Sequence, residues 1–124
     1  MKKKAKKTSA LLWLFEPLES DAGFVQRKLF GFDAAYLDGF LYAAVSEGDE
    51  PWSGMLVATS REHHAALRKQ FPSLKPHPVL DKWLYISLLH RRFEATATDI
   101  IALALRRDPR LGVESSSPKA RPRP

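Results

Sequence analysis

Short apolar runs, separated by glycine, proline and acidic residues, divide the chain into segments of strand and helix length. Runs of five to seven residues rich in aromatic and β-branched side chains are typical of strands. They predict strands over residues 24–30, 32–37, 40–45, 55–59 and 83–88. Asp38 and Gly39 separate two of these runs, and this dipeptide favours a type I′ hairpin turn, because both turn residues need a positive φ.

Three segments carry helix signals. Thr8 or Ser9 is suited to cap a short helix through residue 15, which Pro17 limits. This helix is apolar almost all round, so we expect it to be buried against a sheet. Ser60 is a natural cap for a helix to about residue 70. In the last helix, residues 93–105, one face holds Phe93, Ala97, Ile100 and Ala104.

The predicted order of elements is α-β-β-β-β-α-β-α. Consecutive strands joined by short turns pair antiparallel, and the helices pack on a face of the resulting sheet. We therefore predict an α+β fold, a two-layer antiparallel sheet with helices on one face. One domain is expected over residues 9–113, between a basic disordered tail (1–8) and a Pro-, Ser- and Arg-rich disordered tail (114–124).

The formal net charge of +6 is concentrated in the tails. Five lysines lie within residues 1–7 and three basic residues within 118–124, so the remaining body has 12 basic and 14 acidic side chains. In this body, residues 8–60 have a charge of −6 and residues 61–117 a charge of +4. Either the two halves attract each other across the fold, or the second half presents a basic face to a partner such as nucleic acid.

No residue pattern predicts catalysis. The chain has no cysteine, which excludes disulfides and thiolate chemistry and fits a reducing compartment. Its six glycines form no phosphate-binding motif, and the adjacent His63 and His64 point to different sides of a helix. The histidines are expected at the surface or half-buried. We predict no metal, no cofactor and no enzymatic activity.

The apolar run over residues 10–15 is shorter than the core of a secretory signal, and no segment reaches the length of a membrane span. The sequence therefore predicts a cytoplasmic protein without a membrane partner.

Seven side chains are candidates for a binding surface: Arg27, Lys28, Lys75, His77, Lys82, Arg91 and Arg92. Two of them precede an aromatic ring, in Lys82-Trp83 and in Arg92-Phe93. Basic residues beside rings suit base stacking and phosphate neutralisation, although core packing explains both rings more simply.

Arg27 and Lys28 lie on opposite faces of the first strand, because successive strand side chains alternate. One interpretation is a structural ion pair between one of them and Asp33 or Asp38, with Gly31 in a tight turn between strands. The other places Arg27 on the open face of the sheet, within a ligand or partner surface.

The segment Arg27-Lys28-Leu29-Phe30-Gly31, followed by Tyr36-Leu37-Asp38-Gly39 and Ala44-Val45, resembles the opening of the TfoX N-terminal domain family. The helix end from Arg68 to Pro72 and the later Lys82-Trp83 are similar to the related YjbR-type domains. The resemblance spans about residues 10–108. It implies a secretion-chaperone-like α+β fold and a link to the regulation of DNA uptake competence, and it brings no catalytic residues.

Our leading hypothesis is a non-enzymatic binding or regulatory module that acts through protein or nucleic-acid contacts, with a protein as the expected partner. The alternative is nonspecific DNA or RNA binding through the basic second half and the tails. A small-molecule-binding enzyme is the residual hypothesis, for which the proline-rich loop over residues 72–81 would wall a polar pocket.

Overall fold

The computed structural model describes residues 10–114. The helical elements are a 3₁₀ helix (Ala10–Leu18), a 3₁₀ turn (Arg61–His63), α1 (His64–Gln70) and α2 (Phe93–Leu105). The strands are β1 (Phe24–Leu29), β2 (Phe32–Leu37), β3 (Phe40–Glu47), β4 (Ser53–Val57), β5 (Lys75–Pro76), β6 (Leu84–Ser87) and β7 (Val113–Glu114). Within residues 10–114, no helix is long and apolar enough to cross a membrane. The predicted tails fall outside these residues, apart from Glu114, which pairs in β7.

The strands form one antiparallel sheet in the order β1-β2-β3-β4-β6-β5. β7 pairs with Phe40 and Leu41 of β3, beyond the point where β4 ends. The α+β class is confirmed, and the predicted bounds of β2 and α2 match the structure. The two-residue strands β5 and β7 were not predicted, because neither is long enough to show a periodic pattern.

Two-residue turns join the first three strands. Asp38 and Gly39 have φ values of 53° and 86°, so the type I′ hairpin predicted for this dipeptide is confirmed. Phe30 and Gly31, with φ values of 54° and 83°, form a second turn of the same kind between β1 and β2. β1 therefore lies at one edge of the sheet, held by β2 alone among the described strands.

The helices pack on one face of the sheet. The side chains predicted to line α2, Phe93, Ala97, Ile100 and Ala104, are buried there. The 3₁₀ helix continues through Pro17 to Leu18, beyond the predicted end. Three residues per turn align its buried Leu11 with Leu14 and Phe15 with Leu18. Its inner side is buried against the sheet and α2, as expected, whereas Trp13 on its outer side is exposed.

The opposite face of the sheet, here called the helix-free face, carries a second apolar cluster. Its buried members are Phe32, Ala34, Tyr36, Leu41, Ala44, Leu56, Ala58 and Tyr85. Leu80 and Trp83, from the connection between β5 and β6, and Trp52, from the connection between β3 and β4, pack against it. The loop over residues 72–81 therefore runs across this face and covers part of it.

Arg107 joins three distant parts of the chain. Its guanidinium donates two hydrogen bonds to Asp21, at 2.9 and 3.0 Å, and two to Asp38 Oδ2, at 3.0 and 2.9 Å. These bonds hold the pKa of Asp21 at about 2 and raise that of Arg107. Asp38 is thus not a partner of β1, contrary to one expectation. Arg107 links the acidic first half to the basic second half, as one interpretation of the charge pattern predicted.

Candidate functional site

His77 is a structural residue. Its side chain has no exposed surface, so its assignment to a binding surface is wrong, as is the expectation that every histidine is exposed or half-buried. Nδ1 accepts hydrogen bonds from the backbone N–H groups of Val79 and Leu80, both at 3.0 Å, and Nε2 donates to the Pro51 carbonyl at 2.7 Å. The two donors at Nδ1 require a lone pair there, which fixes the neutral tautomer with the proton on Nε2. With both nitrogens occupied, His77 is available neither as a base nor as a metal ligand.

The same ring anchors an aromatic stack on the helix-free face. Its centroid lies 4.6 Å from that of Trp52 and 5.0 Å from that of Tyr85. Trp52 in turn meets Phe32 edge-on at 6.3 Å. His77 therefore fixes the connection between β5 and β6 against the connection between β3 and β4, and this determines where Trp83 lies.

A second set of polar side chains on the helix-free face, besides His77, consists of Glu50, Tyr85 and Ser87. Ser87 Oγ donates to Glu50 Oε2, and the Tyr85 hydroxyl lies 3.1 Å from Glu50 Oε1 and also contacts the Ser53 carbonyl. Burial, reinforced by Glu50, raises the pKa of Tyr85 to about 12, so the phenol is not a base near neutral pH. Both nitrogens of His77 are already bonded, so this imidazole does not activate Ser87. The group ties β6 to the acidic loop that carries Glu50.

The residues 10–114 contain no group of three His, Asp or Glu side chains placed to hold a metal ion.

Arg27 and Lys28 lie on opposite faces, as the strand alternation predicted. Lys28 lies opposite Asp33 of β2 on the face that the helices cover, and its Nζ forms an ion pair with Asp33 Oδ1 at 2.9 Å. This confirms Asp33 as an ion-pair partner for β1. Arg27 stands opposite Ala34 on the helix-free face, with its guanidinium 6.0 Å from the centre of the Tyr36 ring.

The remaining basic candidates do not converge on one surface. Lys75 lies opposite Tyr85, on the helix-free face but at the edge remote from β1. Lys82 precedes β6, whereas Arg91 and Arg92 follow it, so the strand separates them. All four of these side chains belong to exposed residues. The seven predicted residues therefore do not form a single site.

An exposed aromatic side chain stands out near Arg27. Phe30, in the turn between β1 and β2, is 62% exposed, and its ring lies 6.5 Å from that of half-buried Trp83. We call Arg27, Phe30 and Trp83 the Phe30 surface. Two of its members were not among the predicted site residues. The signal in the sequence was Phe30-Gly31 between two apolar strands, because a two-residue turn there forces an aromatic residue to positive φ.

No protein-family model, no curated protein and no solved structure matches this chain.

Proposed function

We propose that the protein is a non-enzymatic binding module of the TfoX N-terminal-like kind, and that the Phe30 surface is where its partner binds. Two of the motifs that carry the resemblance span the turns at Phe30-Gly31 and Asp38-Gly39. The same proposal includes a regulatory role and a cytoplasmic location. Three side chains of types used in catalysis, His77, Tyr85 and Ser87, are engaged in hydrogen bonds that hold the fold. This supports the non-enzymatic part of the proposal.

The observation that carries the proposal is the position of Phe30. A bulky residue at a φ of 54° is rare, since steric strain there costs about 1–3 kcal/mol. Asparagine or glycine forms the first position of a type I′ turn more easily. Phe30 also leaves most of its ring in water. A residue that strains the backbone and buries little is poorly suited to stabilising the fold, which supports a role in binding.

The test compares stability across substitutions at Phe30. We expect Phe30→Asn to change the free energy of unfolding by less than about 1 kcal/mol, because relief of backbone strain offsets the lost contact with Trp83. Phe30→Ala keeps the strained φ and loses the same contact, so it should be less stable than Phe30→Asn by about 1 kcal/mol. Urea unfolding followed by circular dichroism measures both.

Phe40 provides the matched control. It is a 44% exposed phenylalanine that begins β3 without a positive φ. Phe40→Asn has no strain to relieve and replaces a strand former, so it should destabilise by about 1 kcal/mol. If Phe30→Asn instead costs more than about 2 kcal/mol, Phe30 is a folding residue and the proposal is wrong.

A further inference from the structure

Building on the proposed function, we propose that the Phe30 surface binds single-stranded nucleic acid. Bases would stack on the rings of Phe30 and Trp83, and phosphates would contact Arg27. Proteins that bind single-stranded nucleic acid without sequence preference combine aromatic platforms with basic side chains, because every base offers a flat face and every nucleotide a charge.

The rings are placed for stacking. Phe30 is 62% exposed and projects from a hairpin turn, so a planar group can approach its face. Trp83, tilted by 44° to it, is packed against the second apolar cluster on its other side. The backbone of Trp83 is held at both ends, since its N–H donates to Leu80 and its carbonyl accepts from His77. Trp83 is therefore held in place before any ligand binds, which reduces the entropy lost on binding.

The charge of the helix-free face favours an anion. The strands direct two cationic side chains to this face, Arg27 and Lys75. No strand of residues 10–114 directs an Asp or Glu side chain to it. Arg27, Lys75 and Lys82 have no carboxylate within ion-pair distance among the described residues. Of the loop carboxylates, Asp81 pairs with Arg61. Glu50 keeps its negative charge on this face, but it is held by Tyr85 and Ser87 of β6, which three strands separate from β1 and Arg27.

A single strand fits this arrangement better than a duplex. Duplex bases are stacked on one another and show only their edges in the grooves, whereas the Phe30 ring offers a stacking face. An acidic protein segment would satisfy the cations but would leave the exposed ring without a matching flat group. The structure thus favours a strand of unpaired nucleotides.

The experiment measures binding of the full chain to a labelled oligothymidylate of about 12 nucleotides, and to a duplex of the same length, by fluorescence anisotropy. We expect Phe30→Asn to weaken binding to the single strand about tenfold. Arg27→Gln should lower the slope of log K against log salt by about 0.7, the value for one lost phosphate contact. The duplex should bind more weakly and be insensitive to Phe30→Asn.

Two controls test whether the loss is local. Phe40→Asn removes an exposed ring that lies opposite Leu37, outside the helix-free face, and Arg106→Gln removes an exposed arginine at the end of α2. Both should bind the oligothymidylate within about twofold of the parent chain.

The inference is overturned if the parent chain does not bind the oligothymidylate at low salt. It is also overturned if Phe30→Asn and Arg27→Gln bind like the two controls, because the lysine-rich tail would then account for the binding. Neither result contradicts the proposed function, which fails only if Phe30→Asn destabilises the fold. If Phe30→Asn leaves the stability nearly unchanged but nucleic acid does not bind, a protein segment becomes the partner to test.

Discussion

Replacing His77 tests whether the fold of the helix-free face depends on one side chain. The ring bonds to three backbone groups, the N–H groups of Val79 and Leu80 and the carbonyl of Pro51. In His77→Ala each of these groups loses its partner. The connection between β5 and β6 would then keep the packing of Leu80 and Trp83 and the exposed ion pair between Asp81 and Arg61.

The expected cost follows from these contacts. An unsatisfied polar group costs about 1–3 kcal/mol, and the lower end applies here because Pro51 and Val79 lie close enough to the surface to be hydrated. Three groups therefore account for about 3 kcal/mol. Loss of ring packing against Trp52 and Tyr85 adds about 1 kcal/mol. We predict that His77→Ala lowers the free energy of unfolding by about 4 kcal/mol, a large part of the total for a domain of this size.

Two further variants separate the nitrogens. Asn at position 77 places its amide oxygen where Nδ1 lies, so it can still accept from Val79 and Leu80. Gln places its amide nitrogen where Nε2 lies and can still donate to Pro51. Since Asn loses one backbone bond and Gln loses two, we expect costs of about 2 and 3 kcal/mol. The order of stability should be His, Asn, Gln, Ala.

Urea unfolding, followed by both tryptophan fluorescence and circular dichroism, measures these differences. The matched control is His90→Ala, because His90 is exposed and its ring accepts a single backbone hydrogen bond, from Arg92. That change should cost about 1 kcal/mol or less. If His77→Ala costs no more than the control, His77 is not buried as described. If Gln is more stable than Asn, the assigned tautomer is wrong.

Three further predictions concern the ion cluster and two glycines with positive φ, Gly31 and Gly54. Arg107→Ala should destabilise by about 1–2 kcal/mol at neutral pH, since the cluster is only partly shielded from solvent. The pKa of Asp21 is lowered from 3.8 to about 2 in the fold, so its stabilising effect is present above pH 4 and is lost as the pH falls through 2. The difference between parent and variant, measured by thermal unfolding, should shrink over that range, and a constant difference would contradict the assignment. Gly31→Val should cost about 1–3 kcal/mol, because Gly31 has a φ of 83° but open space around its Cα. Gly54→Ala should destabilise far more and prevent folding at 37 °C, because Gly54 has a φ of 121° and its new methyl group would also overlap the Ile86 carbonyl. Equal melting temperatures for Gly31→Val and Gly54→Ala would refute this distinction.

Much of the fold could be predicted because it depends on local physics. The bounds of β2 and α2 follow from side-chain periodicity, and the Asp38-Gly39 hairpin follows from the few residues that tolerate a positive φ. The alternation of strand side chains also placed Arg27 and Lys28 on opposite faces, and proximity along the hairpin made Asp33 a partner for Lys28.

The candidate site depended on contacts that a local pattern does not encode. His77 is buried because its loop meets Pro51, 26 residues earlier, and no local feature marks a histidine for that position. Arg107 bonds to Asp38 and Asp21 across 69 and 86 residues, so its partners depend on where the end of α2 lies over the sheet.

The surroundings of Phe30 depend on both the local sequence and the tertiary structure. The dipeptide Phe30-Gly31 between two strands determines the turn and hence the strained φ, which can be predicted from the sequence. Which rings and charges surround Phe30 depends on the path of the loop that carries Trp83, which crosses the sheet because His77 ties it to Pro51. Local chemistry thus determined the strands and turns, whereas the binding surface was decided by long-range packing, because its members come from segments about 50 residues apart that only the folded sheet brings together.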